Sequence, residues 1–596
     1  MKSKGILTGI ISNLIIIETE DKVLQNEICF VRHGNESLLA EVIRISGKNK
    51  YAQVFENTRG LKVGSQVDFT GELLEVTLGP GMLSKIYDGL QNDLYKMDGL
   101  LLNRGQYNKP FDPEQLWEFK PLVKVGDIVK AGDWIGEVSE KWLKHKIMVP
   151  FYYENLDATV TSIVKEGMYQ AKDTVAVITD SEGNDYSVTM KFKWPVKKPV
   201  RIYQKKVRPY KIMETGVRVI DIFNPMVEGG TGFIPGPFGC GKTVLQHAIS
   251  KYADADLILV VACGERANEV VELFTEFPEL DDPRTGRKLM ERTIIICNTS
   301  NMPVASREAS VYTGMSMAEY YRSMGLKVLV LADSTSRWAQ ALREMSNRME
   351  ELPGPDAYPM DLSAIVANYY SRAGHVVLNN GKTGSITFMG TVSPAGGNLK
   401  EPVTEATKKV AQAFYALSQQ RADSKRYPAI DSIASYSKYL EYNEIKHFLN
   451  HTYEKSWTEK VQKLRNLLNH GKEIRDQINI LGDDGVPLDY HQIFWKSELI
   501  DFTLLQQDSF DDIDASTPIE RQKYMLNLIL NIVVINFKFD NFEIIADYFK
   551  KIIDMVKQMN YSEFKGSNFL NFQNDLNKLI MENQPDEAKS LTENLY

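Results

Sequence analysis

The sequence has little of several residue patterns, and each scarcity excludes a class of protein. Its 596 residues include only four cysteines, and none stands at the CxxC or Cys/His spacing of a zinc site. So few cysteines suit a reducing compartment. The 70 lysines and arginines are outnumbered by 78 aspartates and glutamates, and no long basic run is present. We therefore expect no nucleic-acid partner.

Long apolar stretches are also missing. No run approaches the ~18 apolar residues of a membrane span. The apolar run 14–17 is too short for a secretory signal and is soon followed by Glu18 and Glu20. These features predict a cytoplasmic protein, which can still lie peripheral to a membrane within a complex. The chain length predicts about three to five domains.

The first 190 residues are rich in short β patterns. Residues 1–72 consist of β-rich runs separated by turns, which predicts a small N-terminal β-barrel. Residues 73–109 form a connecting segment with a Gly-Pro-Gly turn and a predicted short helix at 88–91. Residues 110–190 return to β-rich runs with two Gly-Asp hairpin turns, which predicts an inserted β domain.

One lysine of this insertion has an alternative interpretation. The same spacing of hairpin turns also occurs in domains that carry biotin or a lipoyl group on a lysine, so Lys146 is an alternative candidate for an attachment site. However, Lys146 stands in a His-Lys-Ile-Met context, without the acidic or methionine neighbours in a tight turn that such lysines usually have. We therefore favour a structural insertion.

The second part of the chain changes pattern twice. Residues 191–440 alternate helical periodicity with β-branched runs, which predict buried strands at 257–262, 293–297, 328–332 and 386–389. Such runs with helices between them predict a parallel sheet covered on both faces. Residues 441–596 predict a C-terminal α-helical domain, and their long helical stretches are 448–480, 490–507 and 518–559. We expect the last 30 residues, which are polar, to fray.

The strongest motif is the run 236–243, Gly-Pro-Phe-Gly-Cys-Gly-Lys-Thr. It fits G-x-x-x-x-G-K-[ST], with a predicted strand before it and helical spacing after it. Backbone N–H groups of such a loop surround phosphates, and the helix N-terminus favours their charge. Lys242 would neutralise phosphate charge and the Thr243 hydroxyl would ligate Mg²⁺. The motif predicts a site for ATP or ADP, whose binding residues are Gly236, Pro237, Phe238, Gly239, Cys240, Gly241, Lys242, Thr243 and Val244.

Acidic residues follow two other predicted strands. Asp333 ends the run 328–332, at the edge where open α/β sheets bind ligands, so it is a candidate for the Mg²⁺ site. An ordinary helix N-cap is the alternative, and the nearby loop favours the metal. After the run 257–262, Glu265 could polarise an attacking water and Arg266 could hold phosphate charge. A loop ion pair of little energetic value is an equal alternative on these residues alone.

Together the motifs resemble those of the catalytic A subunits (alpha chains) of V-type/A-type rotary ATPases. The similarity extends from 78–81 to 510–514, and its most specific segments are 236–243 with its Gly-Pro-Phe-Gly opening, 263–269, 298–303, 332–338 and 393–397. The insertion at 110–190 matches the domain that distinguishes A subunits from B subunits. The resemblance implies a multidomain fold with an N-terminal β-barrel, a β-rich insertion, a central α/β P-loop (RecA-like) nucleotide domain and a C-terminal α-helical domain.

The resemblance also implies roles for single residues. Glu265 would position or activate the water, and the γ-phosphate side would be organised by Lys242, Arg266 and Arg337. Thr243 would ligate Mg²⁺, with Asp333 and Glu269 in the outer shell of the metal.

Several positions depart from the family pattern. Ala364 stands where relatives often carry arginine, and the segment 417–424 diverges. Tyr427 stands where the family usually packs phenylalanine on adenine, and we expect this change to be mild because both rings can stack. Ala267 stands where glycine is usual, which would strain the loop if that backbone needed a positive φ.

Two cysteines lie in the predicted site. Cys240 stands within the loop, and Cys263 lies two residues before Glu265. An oxidised thiol there would block phosphate binding. We favour ordinary buried packing for both side chains.

Finally, the resemblance implies an assembly. Non-catalytic B subunits would alternate with this chain in a ring and supply an arginine in trans, a contribution of ~10³-fold or more in related systems. Central and peripheral stalk subunits would couple ATP hydrolysis or synthesis to H⁺ or Na⁺ transport, and contact with the membrane would run through the complex. Alternatives are an export-type or other ring ATPase, an RNA translocase, or a divergent ring subunit that binds ATP without hydrolysing it.

Overall fold

The computed structural model describes residues 3–96, 105, 107–153, 156–300 and 302–582. Its N-terminal region is a closed barrel of six antiparallel strands, in the order β1-β2-β5-β4-β3-β6. Alternate side chains fill the interior, where Val31, Val67 and Phe69 are completely buried. The predicted β-barrel is confirmed, and its strands are β1 (Lys4–Ile11), β2 (Leu14–Glu18), β3 (Glu27–His33), β4 (Glu36–Ser46), β5 (Asn49–Val54) and β6 (Gln66–Leu73).

The connecting segment contains β7 (Glu75–Leu78) and β8 (Ile86–Tyr87). The short helix predicted at 88–91 is wrong. Instead, the Asp88 carboxylate accepts hydrogen bonds from the backbone N–H groups of Leu90 (2.9 Å) and Asn92 (2.7 Å), which holds a turn. A part of the predicted segment, 97–104 and 106, lies outside the described residues.

The insertion consists of two four-stranded antiparallel sheets, ordered β10-β13-β15-β16 and β12-β11-β9-β14. After it, β17 pairs with β7, so the chain leaves the insertion beside the strand that precedes it. The predicted β-rich insertion is confirmed. Its strands are β9 (Leu116–Pro121), β10 (Ile128–Val129), β11 (Trp134–Glu140), β12 (Leu143–Met148), β13 (Ala158–Ile163), β14 (Gly167–Gln170), β15 (Thr174–Thr179) and β16 (Asp185–Thr189), and the strand that follows it is β17 (Phe192–Pro195).

Lys146 lies within strand β12 and not in a hairpin turn. It is paired across the strands with Glu137, and its ammonium group forms an ion pair with that carboxylate. The same ammonium lies 5.2 Å from the ring centre of Trp134. A lysine held in this way supports the structural interpretation of the insertion.

The nucleotide domain is built on a ten-stranded sheet. Its main order is β28-β27-β19-β26-β24-β20-β23-β8, and the central strands from β19 to β23 are parallel. All four predicted buried strands are confirmed, as β20, β23, β24 and β26. The strands are β18 (Lys205–Val207), β19 (Thr231–Pro235), β20 (Leu257–Glu265), β21 (Asp281–Asp282), β22 (Arg287–Lys288), β23 (Thr293–Thr299), β24 (Lys327–Asp333), β25 (Gly374–Val377), β26 (Thr383–Val392), β27 (Ala413–Phe414) and β28 (Tyr436–Ser437); β21 and β22 form a separate hairpin.

Helices connect and cover these strands, as expected for an α/β domain. The longest, α3, is almost entirely buried. The helices of this domain are α1 (Lys242–Tyr252), α2 (Ala267–Thr275), α3 (Val304–Arg322), α4 (Thr335–Arg348), α5 (Leu362–Tyr370), α6 (Pro402–Val410) and α7 (Gln419–Asp423).

From residue 441 to residue 582 the structure contains helices and no strands, which confirms the helical C-terminal region. No helix of the described ranges combines the length and the apolar character needed to cross a membrane. The domain boundaries at 72, 109, 190 and 440 stay predictions. The helices are α8 (Asn443–Phe448), α9 (Trp457–Leu481), α10 (Leu488–Ile500), α11 (Ile519–Val534), α12 (Phe542–Asn560) and α13 (Ser567–Glu582).

Three helical predictions need correction. The stretch 448–480 is not one helix, because the helical turn after α8 ends at Tyr453 and α9 begins only at Trp457. The stretch 518–559 is not continuous but splits into α11 and α12. Between them the Gln492 side chain binds the backbone of Phe537, accepting from its N–H (3.1 Å) and donating to its carbonyl (2.8 Å). Most of the tail expected to fray forms α13, because Phe569, Leu576 and Ile580 bury one face of that helix. Residues 583–596 lie outside the described residues.

Candidate active site

Three parallel strands bring the predicted catalytic residues to one edge of the sheet. The phosphate-binding loop follows β19, Asp333 is the last residue of β24, and Glu265 is the last residue of β20. These strands lie in the order β19-β26-β24-β20. Since the carboxyl ends of parallel strands meet at the same edge, segments almost one hundred residues apart converge there.

The loop has the backbone that its glycines predict. Gly239 and Gly241 adopt φ values of 83° and 82°, which residues with a Cβ rarely adopt, and α1 begins directly at Lys242. The Lys242 ammonium donates to the carbonyls of Gly236 (2.8 Å) and Pro237 (2.9 Å), so it lies across the loop. Burial lowers the pKa of Lys242, an effect that the nearby Asp333 carboxylate opposes. An added anion would therefore stabilise the charged form of the Lys242 side chain.

Hydroxyl and carboxylate oxygens meet beside the loop. The Thr243 hydroxyl donates to Asp333 Oδ2 at 3.5 Å, and the Thr391 hydroxyl donates to Asp333 Oδ1 at 2.6 Å. Burial raises the pKa of Asp333, and the Thr391 hydrogen bond opposes that rise. The carboxylate does not cap α4, whose N-cap residue is Ser334. The N-cap alternative is therefore wrong, and the oxygen donors fit a magnesium ion.

Glu265 lies beside a second carboxyl group, that of Glu269. It forms a side-chain hydrogen bond with Glu269 on α2. Burial, this hydrogen bond and the charge of Asp333 raise the pKa of Glu265 to about 9, whereas Arg337 opposes the rise. The same hydrogen bond lowers the pKa of Glu269. The neighbour that most affects the Glu265 carboxyl group is therefore Glu269, not Arg266.

The two predicted arginines have different neighbours. The Arg266 guanidinium lies 4.7 Å from the ring centre of Phe238, an exposed side chain of the phosphate-binding loop. Arg337 donates to Gln340 Oε1 at 3.3 Å. It also lies against Gly264, where a Cβ would come within 3.1 Å of the Arg337 Cβ. The arginines therefore lie close to the loop and to the sheet edge, and their catalytic roles stay predictions.

Ala267 causes no backbone strain. It is the first residue of α2 and so has a right-handed helical backbone. A glycine is not required at this position by its φ angle, so the departure at Ala267 does not distort the segment that follows Glu265.

A cavity of about 550 Å³ lies beyond the first turn of α1. Gly241 and Val244 line it from below, and Tyr427, which is 43% exposed, lines it from the loop after α7. The structure thus brings together the predicted phosphate-binding loop and the predicted base-stacking ring. The remaining wall comes from residues that the sequence interpretation missed as site residues, chiefly Phe502, Gln506, Phe510, Lys557 and Tyr561. Only Phe510 lay in a segment with a family signature.

The cysteines near the site are buried thiols. All four cysteines of the chain are free and buried. Cys240 Sγ donates to Gln419 Oε1 at 3.2 Å, and burial raises the pKa of Cys240 above its ordinary value. Burial also raises the pKa of Cys263 to about 12. Because the thiolate is the reactive form, these environments favour the packing role.

Comparisons with known proteins agree with this architecture. Family models match four segments: the ATP synthase alpha/beta family β-barrel domain (7–71), the alpha/beta subunit barrel-sandwich domain (108–197), the alpha/beta family nucleotide-binding domain (216–437) and the C-terminal domain of V and A type ATP synthase (446–538).

Similar proteins align over nearly the full length of the chain. The V-type ATP synthase alpha chain of Borreliella afzelii (strain PKo) is 48% identical over 583 residues, which covers 97% of this chain and 99% of that protein. The V-type ATP synthase alpha chain of Treponema denticola is 47% identical over 597 residues, which covers 99% and 98%. On this extent of similarity, the chain belongs to the family of V-type ATP synthase alpha chains.

Proposed function

We propose that this chain, the catalytic subunit of a V/A-type ATP synthase, turns over MgATP at the edge formed by the phosphate-binding loop, Asp333 and Glu265. The observation that carries the proposal is the convergence of these groups from β19, β24 and β20, with the Thr243 hydroxyl 3.5 Å from the Asp333 carboxylate. Positioning and charge neutralisation supply most of the catalysis in phosphoryl transfer, and this edge offers both.

The triphosphate would lie along the loop with its charge facing Lys242 and the N-terminus of α1. The Lys242 ammonium now donates to two loop carbonyls, and it would turn these donors to phosphate oxygens. Mg²⁺ would be held through the Thr243 hydroxyl, with Asp333 and Glu269 farther out, and would supply positive charge to the β- and γ-phosphates when bound. Arg266 and Arg337 would complete the positive surroundings of the γ-phosphate.

The hydrolytic water would be held by Glu265. Burial and the hydrogen bond with Glu269 raise the pKa of this carboxyl group, whereas the same hydrogen bond lowers the pKa of Glu269. Glu265 acts as a base toward this water only in its ionised form, and a proton that it releases would pass to the neighbouring Glu269 carboxylate. The negative charge left on Glu265 then orients the water for in-line attack on the γ-phosphorus. Synthesis would use the same groups in reverse.

The adenine would occupy the cavity beside α1, with its ring on Tyr427. Burying a base against an aromatic face contributes about 1–3 kcal/mol in other nucleotide sites. The triphosphate would reach the loop directly, because Gly239, Cys240 and Gly241 of the loop also line the cavity.

The assembly part of the proposal concerns groups that this chain does not supply. A non-catalytic B subunit would alternate with it in a ring and add an arginine in trans, while central and peripheral stalk subunits would couple turnover to H⁺ or Na⁺ transport. The isolated chain should therefore hydrolyse ATP at least ~10³-fold more slowly than the assembled ring. Equal rates would contradict a trans arginine.

The direct test is Glu265→Gln in the assembled complex. We expect kcat to fall about 10²- to 10⁴-fold with KM for ATP within about threefold, because the amide keeps the hydrogen bond to Glu269 but cannot acquire negative charge. Glu276→Gln, an exposed carboxylate just after α2, is the matched control. Unchanged phosphate release by Glu265→Gln would contradict the proposed role of Glu265.

A further inference from the structure

The base cavity lies at a joint between two parts of the chain. One wall, with Tyr427, comes from the loop that follows α7 in the nucleotide domain. The opposite wall, with Phe502 and Phe510, comes from the segment after α10 in the C-terminal region. Neither part encloses the cavity alone, so the fit of a base depends on how the two walls are held relative to each other.

A cluster of charged side chains crosses this joint beside the cavity. Arg421 donates to both carboxylate oxygens of Asp501, at 3.0 and 2.7 Å, and Arg426 donates to the same carboxylate at 2.5 Å. Arg426 also donates to Glu498 at 3.0 Å, and Glu498 accepts a further hydrogen bond from Arg475. We call these five residues the joint cluster.

The joint cluster is shielded from water, so its ion pairs are not ordinary surface pairs. The Asp501 and Glu498 side chains are only 7% and 6% exposed. Burial alone would raise the pKa of Asp501, but Arg421 and Arg426 outweigh this effect and hold the pKa below its ordinary value. Removing one partner from such a buried set is far more disruptive than removing a solvated ion pair.

The joint cluster also contacts both walls of the cavity. Arg426 is the residue next to Tyr427 in the chain, and its guanidinium lies 4.7 Å from the ring centre of Phe502. A backbone hydrogen bond also connects the two walls, because the Gln507 N–H donates to the Tyr427 carbonyl at 2.9 Å. Arg426 is therefore held by two carboxylates, one from α10 and one from the turn after it. From this position it orients the neighbouring Tyr427 and packs on Phe502 in the opposite wall.

We propose that Asp501 and Glu498 are positioning residues for the nucleobase: through Arg421 and Arg426 they hold the Tyr427 loop against the Phe502 wall, and so set the affinity for ATP without contacting its phosphates. This inference rests on the proposed placement of the base beside Tyr427. It predicts a selective loss, because the phosphate-binding loop is held by β19 and α1 and has no contact with the joint cluster among the hydrogen bonds of the described residues.

The experiment compares ATP with inorganic tripolyphosphate, which has the phosphates but no base, in the assembled complex. For Asp501→Asn we expect KM for ATP to rise about tenfold, the size of one lost base–aromatic contact, with kcat within about threefold. The inhibition constant of tripolyphosphate against ATP hydrolysis should change less than about twofold. Glu498→Gln is the second variant, in case Asp501→Asn folds poorly, and should show the same selectivity with a smaller rise, because Asp501 still binds both arginines.

The matched control is Glu520→Gln, which removes an exposed ion pair with Lys523 on α11 and should leave both constants unchanged. A purely structural role would lower the active fraction, or weaken ATP and tripolyphosphate equally, and that result would overturn the inference. Tyr427→Ala separates the two proposals. If it raises KM for ATP while both joint-cluster variants do not, the positioning role fails and the base site stands; if none of the three raises KM, the base site itself is wrong.

Discussion

The two ends of the nucleotide site are built in opposite ways. The phosphate end is formed by a single sheet edge, where the loop after β19, Asp333 after β24 and Glu265 after β20 are set by strand order. The base end is a cavity between the Tyr427 loop and helical segments that begin more than seventy residues later. The comparison indicates that residues at the sheet edge carry out the chemistry, whereas the joint between the two parts of the chain sets the affinity for ATP.

The electrostatic character of the two ends differs as well. At the phosphate end burial outweighs the nearby cations Arg337 and Lys242, and it raises the pKa of both Glu265 and Asp333. At the joint the cations prevail, and the pKa of Asp501 lies below its ordinary value. Buried carboxyl groups with raised pKa values are unfavourable without a ligand, so the phosphate end suits a site that binds Mg²⁺ and phosphate. At the joint each carboxylate is already paired with arginines, which suits a role in holding the two walls together.

The largest expected effect comes from breaking the phosphate end. Lys242→Gln removes the only charge that the phosphate-binding loop itself carries. We expect ATP hydrolysis by the assembled complex to fall at least about 10²- to 10³-fold, and tripolyphosphate inhibition to weaken as well. Lys251→Gln, on the last turn of the same helix, is the control and should behave as the unmodified chain. Full activity of Lys242→Gln would contradict the proposed phosphate-binding role of the loop.

An intermediate effect is expected at the base end. Tyr427→Ala should raise KM for ATP about tenfold through loss of stacking, with little change in kcat and in tripolyphosphate inhibition. Tyr427→Phe keeps the ring and should stay within about twofold of the unmodified enzyme, since the hydroxyl is not needed to stack. Steady-state kinetics of both variants measures this. A large loss in Tyr427→Phe would show that the hydroxyl, and not the ring, matters.

The smallest expected effect is on stability and follows from the raised pKa of Glu265. Its pKa rises from 4.5 to about 9 on folding. Between these values the unfolded carboxyl ionises while the folded one keeps its proton, so this group lowers the free energy of unfolding progressively as pH rises from about 4.5 to about 9. Glu265→Gln cannot ionise, and we expect it to be more stable than the unmodified chain at pH 8 by about 1 kcal/mol or more, with a much smaller difference at pH 5.

Thermal unfolding of the purified full-length chain at the two pH values measures this difference. Glu276→Gln again serves as the control, because its carboxylate is exposed. A stability difference for Glu265→Gln that is the same at both pH values would show that folding does not raise the pKa of Glu265.

The sequence predicted best those parts of the site that depend on short-range sequence patterns. The loop motif, the four buried strands and the positions of Asp333 and Glu265 at strand ends all follow from short-range patterns, because parallel strands share one ligand edge. Glu265 and Glu269 lie within one strand–helix turn, but nothing in their spacing says which of the two carboxyl groups has the raised pKa. That depends on how deeply the fold buries each of them.

The base end was not predictable to the same extent. Phe502, Lys557 and Tyr561 look like ordinary helical residues, and only the packing of α10 and α12 against the nucleotide domain turns them toward Tyr427. The same limit explains the helix break near Phe537, because the Gln492 side chain that binds its backbone lies 45 residues earlier. Local periodicity carries no information about such partners.

The central claim, that chemistry resides at the sheet edge and affinity at the joint, is tested most directly by a double-mutant cycle of Glu265→Gln and Tyr427→Ala in the assembled complex. The account predicts that the first variant lowers kcat at least about 10²-fold, the second raises KM about tenfold, and the double variant shows both changes independently. If Tyr427→Ala lowered kcat as much as Glu265→Gln does, or if the double variant were no worse than either one alone, the division between the two ends would be contradicted.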